Sequence, residues 1–235
     1  MKTEYEYSVI IPVYNHWDLT VECMDSVLKY STSYDYELLV ISNGSTDGTQ
    51  KVLAEFQSRE LLKHLSFYSC TEPIGFGRAV NIGMKIAKGK YLIVLNNDTA
   101  ILDSSWIDIL RKPFDDPNRK VGITGPLLLH SWEARCDFIV FFCAMIKAEM
   151  VKEMNYLSED FGWGYGEDID FSKRLILKGY CPVAVPEGGR LESGKDVWSG
   201  SFPIYHKGEA TVGELSNWVK ITEENRKKLT QIYGV

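Results

Sequence analysis

Four short apolar runs, spaced so that a helix fits between each consecutive pair, constrain this chain more than any other feature. They are Ser8–Val13, Glu37–Ile41, Leu65–Cys70 and Tyr91–Leu95. Tyr91–Leu95 is apolar throughout, without polar alternation, and so reads as a strand buried on both faces. Pro12 cannot donate to a ladder and marks the end of the first run. Between the runs lie segments of helical length. Asp18–Tyr30 is amphipathic, with Leu19, Met24, Val27 and Leu28 as its inner face. Gln50–Leu65 carries Val52, Leu53, Phe56, Leu61 and Leu62, and Gly75–Lys88 is expected to end on Gly89 as a C-terminal cap. Strands alternating with helix-length crossovers predict an α/β fold: a Rossmann-like, mostly parallel sheet with helices on both faces.

The second half is less regular. Trp106–Phe114 reads as a short helix, Val121–Gly125 as a strand, Phe138–Lys147 as one buried strand and Ala148–Met154 as a short helix. Glu167–Leu177 reads as a helix stopped by Gly179, and Pro182–Val185 as a last strand. The polar, Gly-rich stretch Gly188–Asp196 reads as a mobile loop, a candidate lid. No repeat or long linker interrupts the chain. Its 235 residues suit a single domain, with 1–98 as a nucleotide-binding half.

The net charge of −6 gives no electrostatic reason to expect nucleic acid as a partner. The first seven residues carry acids and no basic stretch ahead of an apolar one, unlike a secretory signal. The longest apolar run, Phe138–Ile146, is too short to span a bilayer. Five scattered cysteines (Cys23, Cys70, Cys136, Cys143 and Cys181) fit neither a disulfide framework nor a zinc site, so reduced core thiols and a cytoplasmic location are expected.

Polar clusters stand where the strands end. Tyr14, Asn15 and His16 follow the first, Asn43 and Ser45 the second, and Asn96-Asn97-Asp98 the fourth; Gly75, Gly77 and Arg78 precede the fourth. In an open α/β sheet these ends share one edge, where ligands bind. Carboxamides can read a base edge, and Asp98 can hold a hard cation. Each cluster also has a plain structural reading: Asn43-Gly44 is a turn signal and Arg78 a solvated helix residue. Later, Gly166-Glu167-Asp168-Ile169-Asp170 opens a helix, where the macrodipole favours acids in any case. Asp170 and Arg174 are spaced as a helix ion pair. Asp168 is the candidate general base, with Glu167 and Asp170 as competitors. His206 lies beyond the last strand, beside the candidate lid, and is a candidate metal ligand. Trp132, Trp163, Tyr165 and Trp198 are candidate stacking surfaces for an acceptor. A nucleotidyltransferase would want a basic Gly-rich loop straight after the first strand, where Tyr14-Asn15-His16-Trp17 stands instead. A silent binding module would have been signalled by loss of Asp98 or Asp168, and both are present.

Taken in order, these segments resemble the family 2 glycosyltransferases, inverting enzymes of the GT-A fold. The resemblance runs from Ser8-Val9-Ile10-Ile11-Pro12-Val13-Tyr14-Asn15 through Ser42–Thr49, Gly75–Gly83 and Asn96-Asn97-Asp98-Thr99 to Gly166–Asp170 with Arg174 and to His206-Lys207-Gly208. It implies a UDP- or dTDP-sugar donor bridged by Mn²⁺ or Mg²⁺, with Asp98 and His206 as metal ligands and Asp168 as catalytic base. Asn43 would meet the pyrimidine, while Pro12, Val13, Tyr14 and Asn15 line base and ribose. Gly75 and Arg78 would lie along the diphosphate or sugar, Asn97 near the ribose, and Asn96 beside the donor. Residues 99–235 would form the acceptor-binding and catalytic half, with Trp163 and Glu167 against a glycan or lipid-linked acceptor and contact with a membrane surface. Two departures from the family pattern stand out. Asn96 replaces the first acid of the metal motif and lowers its charge, and Ser42-Asn43 replaces an acidic pair. The Asn-Asn-Asp-Thr form resembles rhamnosyltransferase-like members.

Overall fold

A computed structural model describes residues 3–57, 64–189, 191–194, 197–208 and 216–234. Its strands and helices alternate through the first half: β1 (Tyr5–Val13), α1 (Trp17–Tyr30), β2 (Tyr36–Asn43), α2 (Thr49–Gln57), β3 (Leu65–Cys70), α3 (Phe76–Ile86) and β4 (Gly89–Leu95). The second half contributes β5 (Thr99–Ile101), α4 (Trp106–Arg111), β6 (Val121–Gly125), β7 (Leu128–Ser131), β8 (Cys136–Ile139), β9 (Cys143–Lys147), α5 (Ala148–Glu153), α6 (Glu167–Leu177), β10 (Cys181–Ala184), β11 (Leu191–Gly194), β12 (Val197–Gly200), β13 (Ile204–His206) and α7 (Trp218–Tyr233).

Seven strands form the central sheet in the order β10-β6-β9-β4-β1-β2-β3. β1 runs parallel to β2 and β4, and β2 parallel to β3. β9 alone is antiparallel to both its neighbours, β4 and β6. The chain leaves β1 toward β2 and β3 on one side and returns to β4 on the other, which makes the carboxyl ends of β1 and β4 the switch point of the sheet.

Burial follows the pleat. Val9, Ile11 and Val13 of β1, Leu38 and Val40 of β2, and Tyr91, Ile93 and Leu95 of β4 pack with Cys23, Met24 and Val27 of α1 and with Ile107 and Leu110 of α4. The alternate residues Ile10, Leu39, Ile41, Leu92 and Val94 pack with Ala79, Val80 and Met84 of α3 and with Phe171 and Leu175 of α6. Each strand is thus apolar on both faces because both faces are covered. Burying each large aliphatic side chain contributes about 1.5–3 kcal/mol.

Several boundaries differ from expectation. The apolar stretch 138–147 is two strands, not one. It breaks at Val140-Phe141-Phe142, so that β8 pairs with β7 in a hairpin while β9 enters the main sheet. Gly89 does not cap α3: Ala87 does, and the Gly89 amide donates to Ser8 Oγ at 2.8 Å as β4 begins. Part of the stretch read as a loop is strand β11, paired antiparallel with β12; residues 190, 195 and 196 lie outside the described residues. The second helix is described to Gln57, and its expected continuation over residues 58–63 also lies outside them. All five cysteines are free, and Cys23, Cys136 and Cys143 are buried. Among the described residues, no helix is long and apolar enough to cross a membrane.

Candidate active site

A cavity of about 290 Å³ opens at the switch point. Its lining joins the ends of β1 and β2 (Pro12, Val13, Tyr14, Asn43) to the turn after β4 (Asn96, Asn97, Asp98). Trp163, Tyr165, Glu167, Asp168 and His206 join it from the second half. Twelve expected site residues therefore converge on one space, from both halves of the chain.

Asp98 and His206, far apart in sequence, are brought together by sheet pairing. β5 leaves Asp98 and runs antiparallel to β13, with His206 opposite Thr99. The Lys207 amide then donates to the Asp98 carbonyl at 3.0 Å. The His206 ring stacks on Phe142 with centroids 4.2 Å apart, and its Nε2 stands 3.2 Å from Asp98 Oδ1. Both residues are buried, and among the described residues neither ring nitrogen makes a well-formed hydrogen bond. Asn96 Oδ1 is likewise buried without a partner among them. Unmatched buried atoms of this kind are costly, and all three residues line the same cavity. One carboxylate, one imidazole and one amide oxygen could contribute to holding a divalent cation, the two oxygen donors suiting Mg²⁺ or Mn²⁺. Among the described residues, no group of three or more His, Cys, Asp or Glu could hold a metal alone.

The carboxamides do two jobs. Asn43 Oδ1 accepts from the Ile74 amide at 2.8 Å, which orients the side chain in the cavity wall. Asn97 Nδ2 donates to Thr20 Oγ1 at 3.0 Å. Asn15 has a left-handed backbone (φ 57°) and lies outside the lining. Its amide donates to Ser45 Oγ at 3.0 Å, and its side-chain oxygen accepts from Thr46 N at 2.8 Å, so it ties the β1 turn to the β2 turn.

Gly75 and Arg78 are also outside the lining. Arg78 is exposed and pairs with Glu159 at 3.3 Å. Gly75 has φ +92°, and a Cβ there would stand 2.1 Å from the Gly162 carbonyl oxygen. Glycine is needed because the start of α3 presses on the turn that precedes the acidic pair.

That pair opens α6. Gly166 (φ +119°) precedes it, packed so closely on the Phe161 ring that a Cβ would lie 2.7 Å away. Glu167 is buried, and its Oε2 has no hydrogen-bond partner among the described residues. Asp168 is half-buried, with Oδ1 accepting from the Ile169 amide at 2.8 Å. Burial raises the pKa of both acids, most of all that of Glu167, which also feels the Asp168 charge. Asp170 is committed elsewhere. It accepts from Arg174 Nε at 2.8 Å and from Tyr233 Oη at 2.5 Å, and it does not line the cavity.

Of the candidate stacking residues, Trp163 meets Tyr14 edge-on with centroids 5.5 Å apart, and Tyr165 lines the cavity beside it. Trp132 is 82% exposed on the β7–β8 hairpin and away from the lining. The Trp198 side chain lies outside the described residues. Phe76, Phe141, Phe142 and Trp218 line the cavity without having been singled out. Trp218 opens α7, whose amphipathic pattern was the one signal available for it.

The sequence model described as Glycosyl transferase family 2 matches residues 8–127. The chain is similar to Glycosyltransferase GlyG of Streptococcus pneumoniae serotype 4, with 27% identity over 116 residues, covering 49% of this chain and 37% of that protein. It is similar to Poly(ribitol-phosphate) beta-glucosyltransferase of Bacillus spizizenii, with 32% identity over 95 residues, 40% of this chain and 15% of that one. The chain thus spans well under half the length of these relatives. Among solved structures it resembles Mannosyltransferase PcManGT from Pyrobaculum calidifontis in complex with GDP-Man and Mn²⁺ (TM-score 0.65, 20% identity, 78% of this chain and 55% of that chain). It also resembles GalNAc-T7 with UDP, GalNAc and Mn²⁺ (TM-score 0.62, 16% identity, 72% and 40%). At these identities the likeness is one of fold, and the fold is GT-A.

Proposed function

Because the chain belongs to glycosyl transferase family 2, we propose that it moves a sugar from a UDP- or dTDP-linked donor to a hydroxyl of a glycan or lipid-linked acceptor, with inversion in a single displacement. The observation that carries this reading is the shared cavity: Asp168 lines the same space as Asp98, His206 and the carboxamides at the switch point. A carboxylate held partly out of water is suited to accept a proton. Asp168 takes the proton of the acceptor hydroxyl as that oxygen attacks the anomeric carbon. The bond from that carbon to the diphosphate oxygen breaks, and the diphosphate leaves with the electron pair.

Asp98 and His206, with the Asn96 amide oxygen, would hold a divalent cation. Once bound, that ion supplies positive charge at the departing diphosphate. The mannosyltransferase and GalNAc-T7 of the same fold are solved with Mn²⁺ and a nucleotide, which supports use of a divalent cation. Residues 1–98 serve the donor. Asn43 reads the pyrimidine, Pro12, Val13 and Tyr14 line base and ribose, and Asn97 lies near the ribose. Asn15 acts by fixing the two turns, and Gly75 and Arg78 border the diphosphate side. Residues 99–235 serve the acceptor, with Trp163 and Glu167 against its sugar. A lipid-linked acceptor would bring the chain to a membrane face, and the Asn-Asn-Asp-Thr turn favours a deoxyhexose such as rhamnose.

The test is a thermal-shift panel of UDP-, dTDP- and GDP-sugars, each with Mn²⁺ and with chelator. Binding to the native state raises apparent stability, by about 2.7 kcal/mol at a ligand concentration a hundredfold above Kd. A pyrimidine donor should raise Tm only with Mn²⁺. A shift confined to the GDP-sugar would overturn the Asn43 assignment, and a shift indifferent to chelator would overturn the metal site.

A further inference from the structure

We infer that Asn225, on α7, is a positioning residue that shapes the turn aiming Glu167 and Asp168 at the cavity. The inference builds on the reading of Asp168 as base, and it concerns a helix outside the residues matched by the family.

The turn from Phe161 to Gly166 has little to hold it by itself. Gly162 (φ 64°), Gly164 (φ 143°), Tyr165 (φ 69°) and Gly166 (φ 119°) all have positive φ, which L residues seldom adopt and which leaves glycines free to move. The backbone bond inside the turn, Gly164 N to Phe161 O, is long at 3.3 Å. The stronger fastening comes from outside. The Asn225 side chain is 2% exposed, and its one amide nitrogen donates to Phe161 O at 2.8 Å and to Gly164 O at 2.9 Å. A single side chain thus spans both ends of the turn. Between those carbonyls sit Gly162, which abuts Gly75, and Trp163, which walls the cavity. Immediately beyond come Glu167 and Asp168.

The rest of α7 is placed to hold that amide still. Leu229 is fully buried among Ala134, Cys136, Phe138, Phe161 and Ile169. Tyr233 Oη donates to Asp170 Oδ1 at 2.5 Å, and Lys228 Nζ to Asp160 O at 2.7 Å. Arg226 Nε donates to Tyr165 Oη at 2.7 Å. Phe161, Ile169, Asp170, Asp160 and Tyr165 in these contacts all lie on the segment carrying the acidic pair. Without the amide, the turn keeps its glycines and loses its brace, and the carboxylates lose a fixed direction. A displacement near 1 Å at a reacting group costs about a hundredfold in rate.

The experiment compares the parent chain with Asn225→Ala, Asn225→Gln and the control Val27→Ala. Val27 is fully buried on the inner face of α1, in a hydrophobic cluster other than that of Phe161 and Leu229. Hydrogen exchange is followed on the free protein, and kcat and KM are measured below the melting temperature of every variant. Each lost hydrogen bond corresponds to roughly a two- to twelvefold change in an opening equilibrium. Asn225→Ala should therefore speed exchange of amides 162–168 by about fivefold or more and lower kcat by about tenfold or more, with the donor KM held within about twofold. Asn225→Gln keeps both donors on a longer arm and should recover part of both losses. Val27→Ala should lower Tm and leave kcat near the parent value.

The proposal is overturned if Asn225→Ala folds with unchanged exchange over 162–168 and kcat within about twofold. It is equally overturned if Val27→Ala lowers kcat by the same factor. Should Asn225→Ala fail to fold, parental exchange and kcat in Asn225→Gln, whose amide cannot occupy the same point, would refute it. Full turnover in Asp168→Asn with accelerated exchange in Asn225→Ala would remove the base and leave the brace standing, so the two readings fail separately.

Discussion

Replacing Gly75 with alanine tests whether the donor-side helix and the catalytic turn are in mechanical contact. The new Cβ would stand 2.1 Å from the Gly162 oxygen and 2.8 Å from its carbonyl carbon, whereas real Cβ contacts essentially never fall under 3.0 Å. Both neighbours are backbone, so relief requires the turn or the start of α3 to move as a unit. The residue also has φ +92°, which adds strain for any L side chain. Overpacking of this kind costs about 1–3 kcal/mol. The backbone conformation (φ 92°, ψ 162°), a region that essentially only glycine adopts, adds roughly 1–3 kcal/mol. In a chain of this size about 2–6 kcal/mol lowers Tm by roughly 4–24 °C.

Gly48→Ala is a control for positive φ without a clash, because Gly48 has φ +93° and nothing among the described residues lies within 4 Å of the new Cβ. It should show backbone strain without overpacking. The assay is thermal denaturation of both variants alongside transfer turnover at a temperature where both are folded. Gly75→Ala should melt well below Gly48→Ala and lose about tenfold or more in kcat, because the turn it displaces carries Trp163 and leads into Asp168. Equal melting temperatures would refute the clash. A Gly75→Ala enzyme of lower Tm and parental kcat would refute its coupling to the acidic pair.

Asp168→Asn should abolish transfer while leaving donor affinity nearly intact, and a variant retaining most of its turnover in a coupled assay would remove Asp168 as base. Asp98→Ala should weaken nucleotide binding in the presence of Mn²⁺ and have little effect under chelation; titration calorimetry showing equal loss in both conditions would unseat it as a ligand. Burial raises the pKa of Asp168, and a base must be ionised to act, so kcat should fall as pH drops through a value above the ordinary aspartate range. The same shift has the opposite sign for stability. A carboxyl whose pKa is raised on folding holds its proton more tightly in the folded state, so Glu167 and Asp168 favour folding below the ordinary carboxylate range. That contribution is lost as pH rises through the raised values, and urea denaturation of the parent and Asp168→Asn across this window should show a smaller loss in the variant.

The sheet and most of its helices were legible from local pattern. A continuous apolar run of strand length, followed by an amphipathic segment of helix length, can bury both its faces in only a few ways, and β1, β2, β4, α1 and α3 fall where that pattern puts them. The polar clusters at strand ends were legible for the same reason: parallel strands share a carboxyl edge, so their following residues converge. What periodicity cannot encode is pairing between distant segments. That His206 reaches Asp98 depends on β13 lying against β5. That 138–147 is two strands depends on β9 finding β4 and β6 while β8 turns to β7. Arg78 carried a site signal in sequence, and only the fold shows that its side chain pairs with Glu159, far along the chain. Gly75 carried the same signal, and only the fold shows that the Gly162 carbonyl lies against it. Local chemistry by itself determined the strands and helices of the first half and which residues are able to hold a ligand. Only the tertiary structure decided which of them meet, because contact is set by register and topology over the whole sheet, and these depend on every strand at once.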